Sequence, residues 1–276
     1  MERNEACLVI DNKLKKMGTL LSEMGSVLVA YSGGVDSTLV LKVAKDVLGA
    51  KVLAVTANSP LYPVSEIETA KAIASELGVR HLIIDSDELK IPGFADNPRN
   101  RCYLCKTELF GSLRQIARNE GLNYILDGSN VSDTVDFRPG REAAKEFGVR
   151  SVLEEIGLEK EEVRELSRKL GLPTHDKPSA ACLASRFPYG KRITRKTLRI
   201  VEAAEEYLKG LGISQVRVRH YENLCRIEVD KEQMHLCLEN QEAITAKLKQ
   251  LGYTYVTLDL EGYRTGSMNE GKKVER

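Results

Sequence analysis

The stretch VLVAYSGGVDSTLVLKVA, Val27 to Ala44, restricts what this chain can become more than any other segment. An apolar run, Val27-Leu28-Val29-Ala30, enters a knot of small polar residues, Ser32-Gly33-Gly34-Val35-Asp36-Ser37, and a second apolar-periodic stretch follows at once. Strand, glycine turn and helix start in immediate succession present backbone N–H groups and a helix N-terminus to an anion. A Walker A loop is excluded, because it needs a lysine straight after its last glycine and Val35 follows Gly34. A dinucleotide fingerprint is excluded too: Gly33-Gly34 has neither the G-x-G-x-x-G spacing nor a third glycine. What remains is a nest of backbone N–H groups with the Ser32 and Ser37 hydroxyls, suited to an anion of pyrophosphate size. Asp36 is the candidate to hold Mg²⁺ against it. The plainer alternative is a turn that merely joins a strand to a helix.

The surroundings repeat the pattern. KVLAVTA, RHLIIDS and NYILDGS read as further strands, and DSTLVLKVAKDVLG, VSEIETAKAIASELG and YLCKTELFGSLRQIARNEG as the helices between them. Ser65 is the expected N-cap of the second of these helices, with Glu68 completing a capping box. Alternation of this kind predicts an α/β fold with a parallel sheet covered on both faces, its ligands beyond the carboxyl ends of the strands. EEIGLEKEEVRELSRKLGLP continues as a helical pattern closed by Gly171 and Pro173, and THDKPSAACLASRFPYGKR after it has little periodicity, which favours a functional loop. From Thr194 the character changes to helix, two strands, helix and strand, a smaller α+β unit with an antiparallel pair. The expected division is therefore 1–190 for the nucleotide domain and 191–276 for a C-terminal domain that binds substrate or mediates self-association.

Composition narrows the function. Hydrophobic residues make up 42% and charged residues 29%, enough for a packed core, and 41 basic against 40 acidic side chains do not suit a protein that coats nucleic acid. No apolar run approaches the roughly 18 residues of a membrane span, and no secretory leader is visible, so a cytoplasmic protein without disulfides is expected. Its cysteines then need another role. Cys102 and Cys105 form a C-x-x-C near a helix start, and Cys182 stands alone in KPSAACLASRFPYG. A redox pair would follow an apolar strand, whereas GFADNPRN precedes this one. Zinc needs a fourth ligand, for which His175 is the candidate, and an iron–sulfur cluster on three thiolates leaves one iron open. Plain space-filling is the remaining alternative. Cys7, Cys225 and Cys237 sit in apolar or helical contexts and read as inert.

The knot SGGVDS resembles the pyrophosphate loop of the PP-loop (N-type) ATP pyrophosphatases, among them GMP and NAD synthetases and tRNA thiolation enzymes. Such a resemblance implies ATP cleaved between its α and β phosphates, an adenylate intermediate and released pyrophosphate. A closer likeness covers about Ser26 to Asn269. CYLCKTELF, ILDGSNVSDTVDFRPG, SRFPYG, VRVR and YVTLDLEGYRTGSMN follow the loop in order, and together they resemble LarE, the ATP-dependent sulfur transferases of nickel-pincer nucleotide cofactor biosynthesis. That resemblance implies adenylation of pyridinium-3,5-biscarboxylic acid mononucleotide and replacement of AMP by sulfur. In one branch of the family a cysteine surrenders its own sulfur, but its position here is Ala181. The neighbouring Cys182, with Cys102 and Cys105, matches the branch with a 4Fe-4S cluster, whose open iron carries a sulfide replenished by a sulfide or persulfide donor. By the same likeness Lys106 contacts a phosphate or the adenylate, and Asp127, Asn130, Asp133 and Arg138 contact nucleotide. Ser185 and Arg186 line the cysteine loop, Glu205 lies near the substrate, and Arg217, Arg219 and Arg264 clamp its phosphate. A homo-oligomer is expected.

Other functions have distinct signatures. A tRNA-thiolating PP-loop enzyme would exploit the basic stretch RFPYGKRITRKTLR, residues 186–199, and would bind tRNA in a salt-sensitive way. An ammonia-dependent synthetase of the same superfamily would need no thiolates. A nucleotide-binding regulator would release no pyrophosphate.

Overall fold

The computed structural model describes residues 2–135, 139–178, 181–264 and 266–269. The chain divides into two compact units, Met1–Asp87 with Asn100–Ser179, and Glu88–Arg99 with Ala180–Arg276. Lys191, the expected start of the C-terminal domain, lies within the second.

The first unit opens with a helix that the sequence reading passed over, α1 (Glu2–Met24). Ile10, Leu14, Met17, Leu21 and Met24 recur every three or four positions and form one apolar stripe. Met17 and Leu21 are fully buried on it. Then β1 (Val27–Ala30), α2 (Val35–Leu48), β2 (Val52–Asn58), α3 (Val64–Glu76) and β3 (Arg80–Asp85) alternate as expected. After Asn100 come α4 (Arg101–Asn119), β4 (Tyr124–Leu126), α5 (Gly140–Glu146), α6 (Val152–Glu155) and α7 (Lys160–Lys169). The strands lie in the order β3-β2-β1-β4 with every pair parallel.

β1 is central, which explains its unbroken apolar run. Val27 and Val29 pack with Leu21 of α1 and Leu39 of α2, while Leu28 packs with Phe110 and Leu113 of α4 on the other face. β2 and β3 lie to one side of β1 and β4 to the other, so the strand order reverses at β1. Ligands of such sheets gather where the order reverses, beyond the carboxyl ends. One local expectation is corrected: Pro63 occupies the cap position of α3, so Ser65 falls inside the first turn. Proline suits a helix start, where the N–H it lacks would have no partner within the helix.

The second unit contains α8 (Arg195–Gly210), β5 (Val216–Tyr221), β6 (Leu224–Val229), α9 (Met234–Glu239), α10 (Gln241–Gln250) and β7 (Tyr255–Leu258). β5 and β6 pair antiparallel, as expected, and β7 adds to β6 in parallel. The single helix expected over 231–252 is broken at Asn240, whose side-chain amide donates to Leu236 O at 2.9 Å and ends α9. Asn97 of the early segment is fully buried and donates through Nδ2 to Phe187 O and Pro188 O at 3.2 and 2.7 Å, which fixes the SRFPYG turn. Among the described residues no helix is long and apolar enough to cross a membrane.

Candidate active site

The nest forms where β1 hands over to α2. Gly33 takes φ 68°, and a Cβ there would stand 2.9 Å from Ala70 Cβ of α3, so only glycine lets the turn pass. Gly34 is extended and caps α2. The Ser37 hydroxyl, 3.1 Å from that of Ser32, accepts from Ser32 N–H at 3.3 Å and donates to Gly34 O at 3.3 Å. The two hydroxyls thus fold the turn across the mouth of the helix, whose dipole favours an anion there. Gly128, just past β4, closes the floor. A Cβ at that position would lie 2.8 Å from Ser37 N and 3.2 Å from Asp36 Cβ. The carboxyl ends of β1 and β4 therefore meet at the α2 N-terminus.

Two carboxylates flank this point and behave differently. Asp127 is buried, and it accepts from Ser129 N–H at 3.1 Å, Ser129 Oγ at 2.8 Å and Ser151 Oγ at 2.7 Å. Its oxygens hold the loop after β4 in shape. Asp36, in the first turn of α2, accepts from Asn130 Nδ2 at 3.0 Å and from Lys160 Nζ at 2.5 Å. A hard cation beside phosphate oxygens needs one or two such carboxylates, so Asp36 fits Mg²⁺ and Asp127 serves the backbone. Asn130 is itself fixed, its Oδ1 accepting from Ser132 N–H and its N–H donating to Asp133. Arg138 lies outside the described residues.

α4 brings Cys102, Cys105 and Lys106 to its first two turns. Because α4 runs back to the start of β4, its N-terminus lies at the carboxyl edge of the sheet, the edge that holds the nest. Cys102 is exposed and Cys105 half-buried, one turn apart on the same face of the helix. Lys106 holds its Nζ 5.1 Å from the Phe110 ring centre, and its stem is close enough to α5 that a Cβ on Gly140 would lie 3.0 Å from its Cγ. Cys182, half-buried, belongs to the second unit. Among the described residues no group of three or more His, Cys, Asp and Glu side chains forms a metal site, and His175 has its Nδ1 3.0 Å from Leu172 O. Burial pushes the Cys225 thiol up to about 12 and raises that of Cys237, which disfavours the reactive thiolate in both.

The second unit gathers most of the other predicted residues into one buried network. Arg186 meets Glu205 through two parallel bonds, Nε to Oε1 at 2.8 Å and Nη2 to Oε2 at 2.9 Å. Its Nη1 donates to Ala181 O, Cys182 O and Ser185 Oγ at 2.6, 3.1 and 2.9 Å, so this guanidinium shapes the cysteine loop. Glu205 also accepts from Val218 N–H at 2.9 Å. Burial pushes the Glu205 carboxyl up, but the Arg186 charge and hydrogen bonds outweigh it and leave the pKa lowered. Arg219 donates to Glu228 Oε2 at 3.0 and 2.6 Å, to Ser185 O at 3.1 Å and to Ser267 Oγ at 2.9 Å. Arg217 is buried 5.2 Å from the Tyr263 ring centre, its pKa lowered first by burial and then by the Arg186 charge. Arg264, at the edge, pairs with Glu261 at 3.0 Å. Three buried guanidinium groups thus share two buried carboxylates, a positive excess suited to an anionic ligand.

Two lysines at the nest were not singled out from the sequence. Lys160 reaches Asp36, and Lys177 donates to Gly33 O at 3.1 Å and to Glu66 Oε2 at 2.6 Å.

Comparison with known proteins agrees with this geometry. The NAD synthase family matches residues 2–93, which contain the nest. An uncharacterized protein of Synechocystis is 46% identical over 95% of this chain and 98% of its own. The pyridinium-3,5-bisthiocarboxylic acid mononucleotide synthase of Lactiplantibacillus plantarum is 41% identical over 91% of each chain. The chain belongs to the LarE family of ATP-dependent sulfurtransferases. GMP synthase of Aeropyrum pernix is 27% identical over 73% of this chain and 41% of its own.

Proposed function

We propose that this LarE-family enzyme adenylates a carboxylate of pyridinium-3,5-biscarboxylic acid mononucleotide and replaces it with a thiocarboxylate. The observation that carries the reading is the nest itself: a glycine turn at a helix N-terminus with Asp36 beside it, in a chain 41% identical to a bisthiocarboxylic acid mononucleotide synthase. A carboxylate oxygen is a hopeless leaving group. Its attack on the α-phosphorus of ATP expels pyrophosphate, and sulfide attack on the acyl carbon then expels AMP, which keeps that oxygen.

Ser32, Gly33, Gly34 and Ser37 hold the phosphates, Asp36 holds Mg²⁺, and Lys106 meets the adenylate. Asp127 shapes the nucleotide loop. Arg217, Arg219 and Arg264 receive the substrate phosphate, with Ser185, Arg186 and Glu205 ordering the loop beside them. Cys102, Cys105 and Cys182 are assigned to a 4Fe-4S cluster. The donor chemistry suits it, since three thiolates leave one iron open to carry a transferable sulfide; zinc on the same thiolates is the alternative. Residues 191–276 provide the substrate-binding and self-association domain of a cytoplasmic enzyme, where thiols stay reduced.

The test is pyrophosphate release by anaerobically purified protein. Release is expected with ATP, Mg²⁺ and the pyridinium mononucleotide together, and not with bulk tRNA or ammonia in its place. Release driven by tRNA would transfer the site to RNA thiolation. Cys102→Ala, Cys105→Ala and Cys182→Ala should each abolish visible iron–sulfur absorption while pyrophosphate release persists. Full sulfur transfer by the triple variant would remove the cluster from the scheme.

A further inference from the structure

The glycine turn has no lysine of its own, yet two arrive from far along the chain. Lys160 is the first residue of α7, and its Nζ lies 2.5 Å from Asp36 Oδ2. Lys177 places its Nζ 3.1 Å from the carbonyl of Gly33 and 2.6 Å from Glu66, in the first turn of α3. These are not loose surface pairs. The lysine side chains are 25% and 18% exposed and each acid is 22% exposed.

Both lysines are held by α7. The Lys160 N–H donates to Ser132 Oγ at 3.1 Å, and the preceding Glu159 N–H donates to Glu162 Oε2 at 2.9 Å. Glu162 is in turn anchored by Lys13 of α1 at 2.6 Å. Arg164, one turn further on, donates Nη1 to His175 O at 2.7 Å and Nη2 to Lys177 O at 2.8 Å, so it fixes the segment that carries Lys177. Solvated lysines on a helix face have no such support behind them.

We propose that Lys160 and Lys177 together supply the charge that a Walker loop draws from its own lysine: they bind the β and γ phosphates of ATP and neutralise pyrophosphate as it leaves. This rests on the reading of the nest as the ATP site. The α-phosphorus exchanges its bond to the bridging oxygen for one to the substrate carboxylate, and the departing electron pair resides on pyrophosphate. Negative charge therefore grows where the two ammonium groups stand. Asp36 and Glu66 are their resting counterions, and an ammonium, a compact charge on a flexible stem, can leave a carboxylate for phosphate oxygens of higher charge.

Calorimetric titration of the full-length protein with pyrophosphate, ATP and AMP tests this without any sulfur chemistry. Lys160→Met and Lys177→Met should each weaken pyrophosphate and ATP binding by about tenfold or more, the effect of one charge-assisted hydrogen bond, with AMP affinity unchanged. Because either variant could also disturb the fold, wild-type protein provides a second measurement. Pyrophosphate should slow acylation of Lys160 and Lys177 by an amine-directed reagent and leave Lys42 unaffected, as read by mass spectrometry. Unchanged pyrophosphate affinity in both variants, an equal fall for AMP, or unprotected lysines would each overturn the lysine assignment. Wild-type protein that binds neither ATP nor pyrophosphate would instead overturn the nest as the ATP site.

Discussion

Asp36→Ala is expected to lower substrate-dependent pyrophosphate release by about a hundredfold or more, the scale of losing one charge-stabilising group at a reacting phosphate. The size of the effect follows from the division of labour at the nest. Asp127 already accepts three hydrogen bonds from Ser129 and Ser151, which tie its carboxylate to the loop after β4 and away from the role of the missing one. Asp36 has Asn130 and Lys160 as its partners among the described residues, and Lys160 is about a quarter exposed and regains water when its counterion is removed. The fold should therefore survive, with a urea midpoint close to that of the wild type. Asp36→Asn keeps an acceptor for Asn130 but loses the charge, and should be as inactive as the alanine variant. A pyrophosphate rate unchanged in either protein would remove Asp36 from the magnesium role.

Glu228→Ala is expected to have the largest effect on stability, about 3–5 kcal/mol, because it leaves a buried cation without its partner. Glu228 is completely buried on β6 and accepts from Arg219 at 3.0 and 2.6 Å, from Arg226 at 2.8 Å and from Ser267 at 3.0 and 3.1 Å. Arg219 then remains buried beside β6 and Ser267 with its charge uncompensated. Glu68→Gln, by contrast, breaks an exposed pair with Lys71 worth well under about 1 kcal/mol. Urea unfolding of both variants measures the difference. Equal midpoints for the two would mean that the buried network carries no stability of its own.

What could be read in advance divides along a physical line. The nest was legible because phosphate chemistry needs its glycines, hydroxyls and carboxylate in consecutive positions at a strand–helix junction. The parallel sheet was legible because β1, buried on both faces, admits no polar residue. α1 was missed although its stripe from Ile10 to Met24 is plain in the sequence, a failure of reading rather than of information. Lys160 and Lys177 are a different case. They reach the turn from 124 and 144 residues away, and nothing in the periodicity of α7 distinguishes an N-terminal lysine that meets Asp36 from one that meets water. Arg186 was expected to line the cysteine loop and Glu205 to lie near the substrate; what the sequence did not disclose is that the two bond each other, while Arg186 also donates to the backbone around Cys182. Sequence spacing cannot report such pairing, because the partners are brought together by packing of α8 against the turn Leu183–Arg186.

The whole account depends on the substrate's own carboxylate attacking the phosphorus next to the ribose, with sulfur arriving afterwards at carbon. Heavy oxygen placed in the carboxylates of the pyridinium mononucleotide follows that atom directly. After turnover with ATP and sulfide, the label is expected in the phosphate of AMP, one labelled oxygen for each sulfur gained, and absent from pyrophosphate. Label retained wholly in the pyridinium product, or recovered in free phosphate, would contradict it.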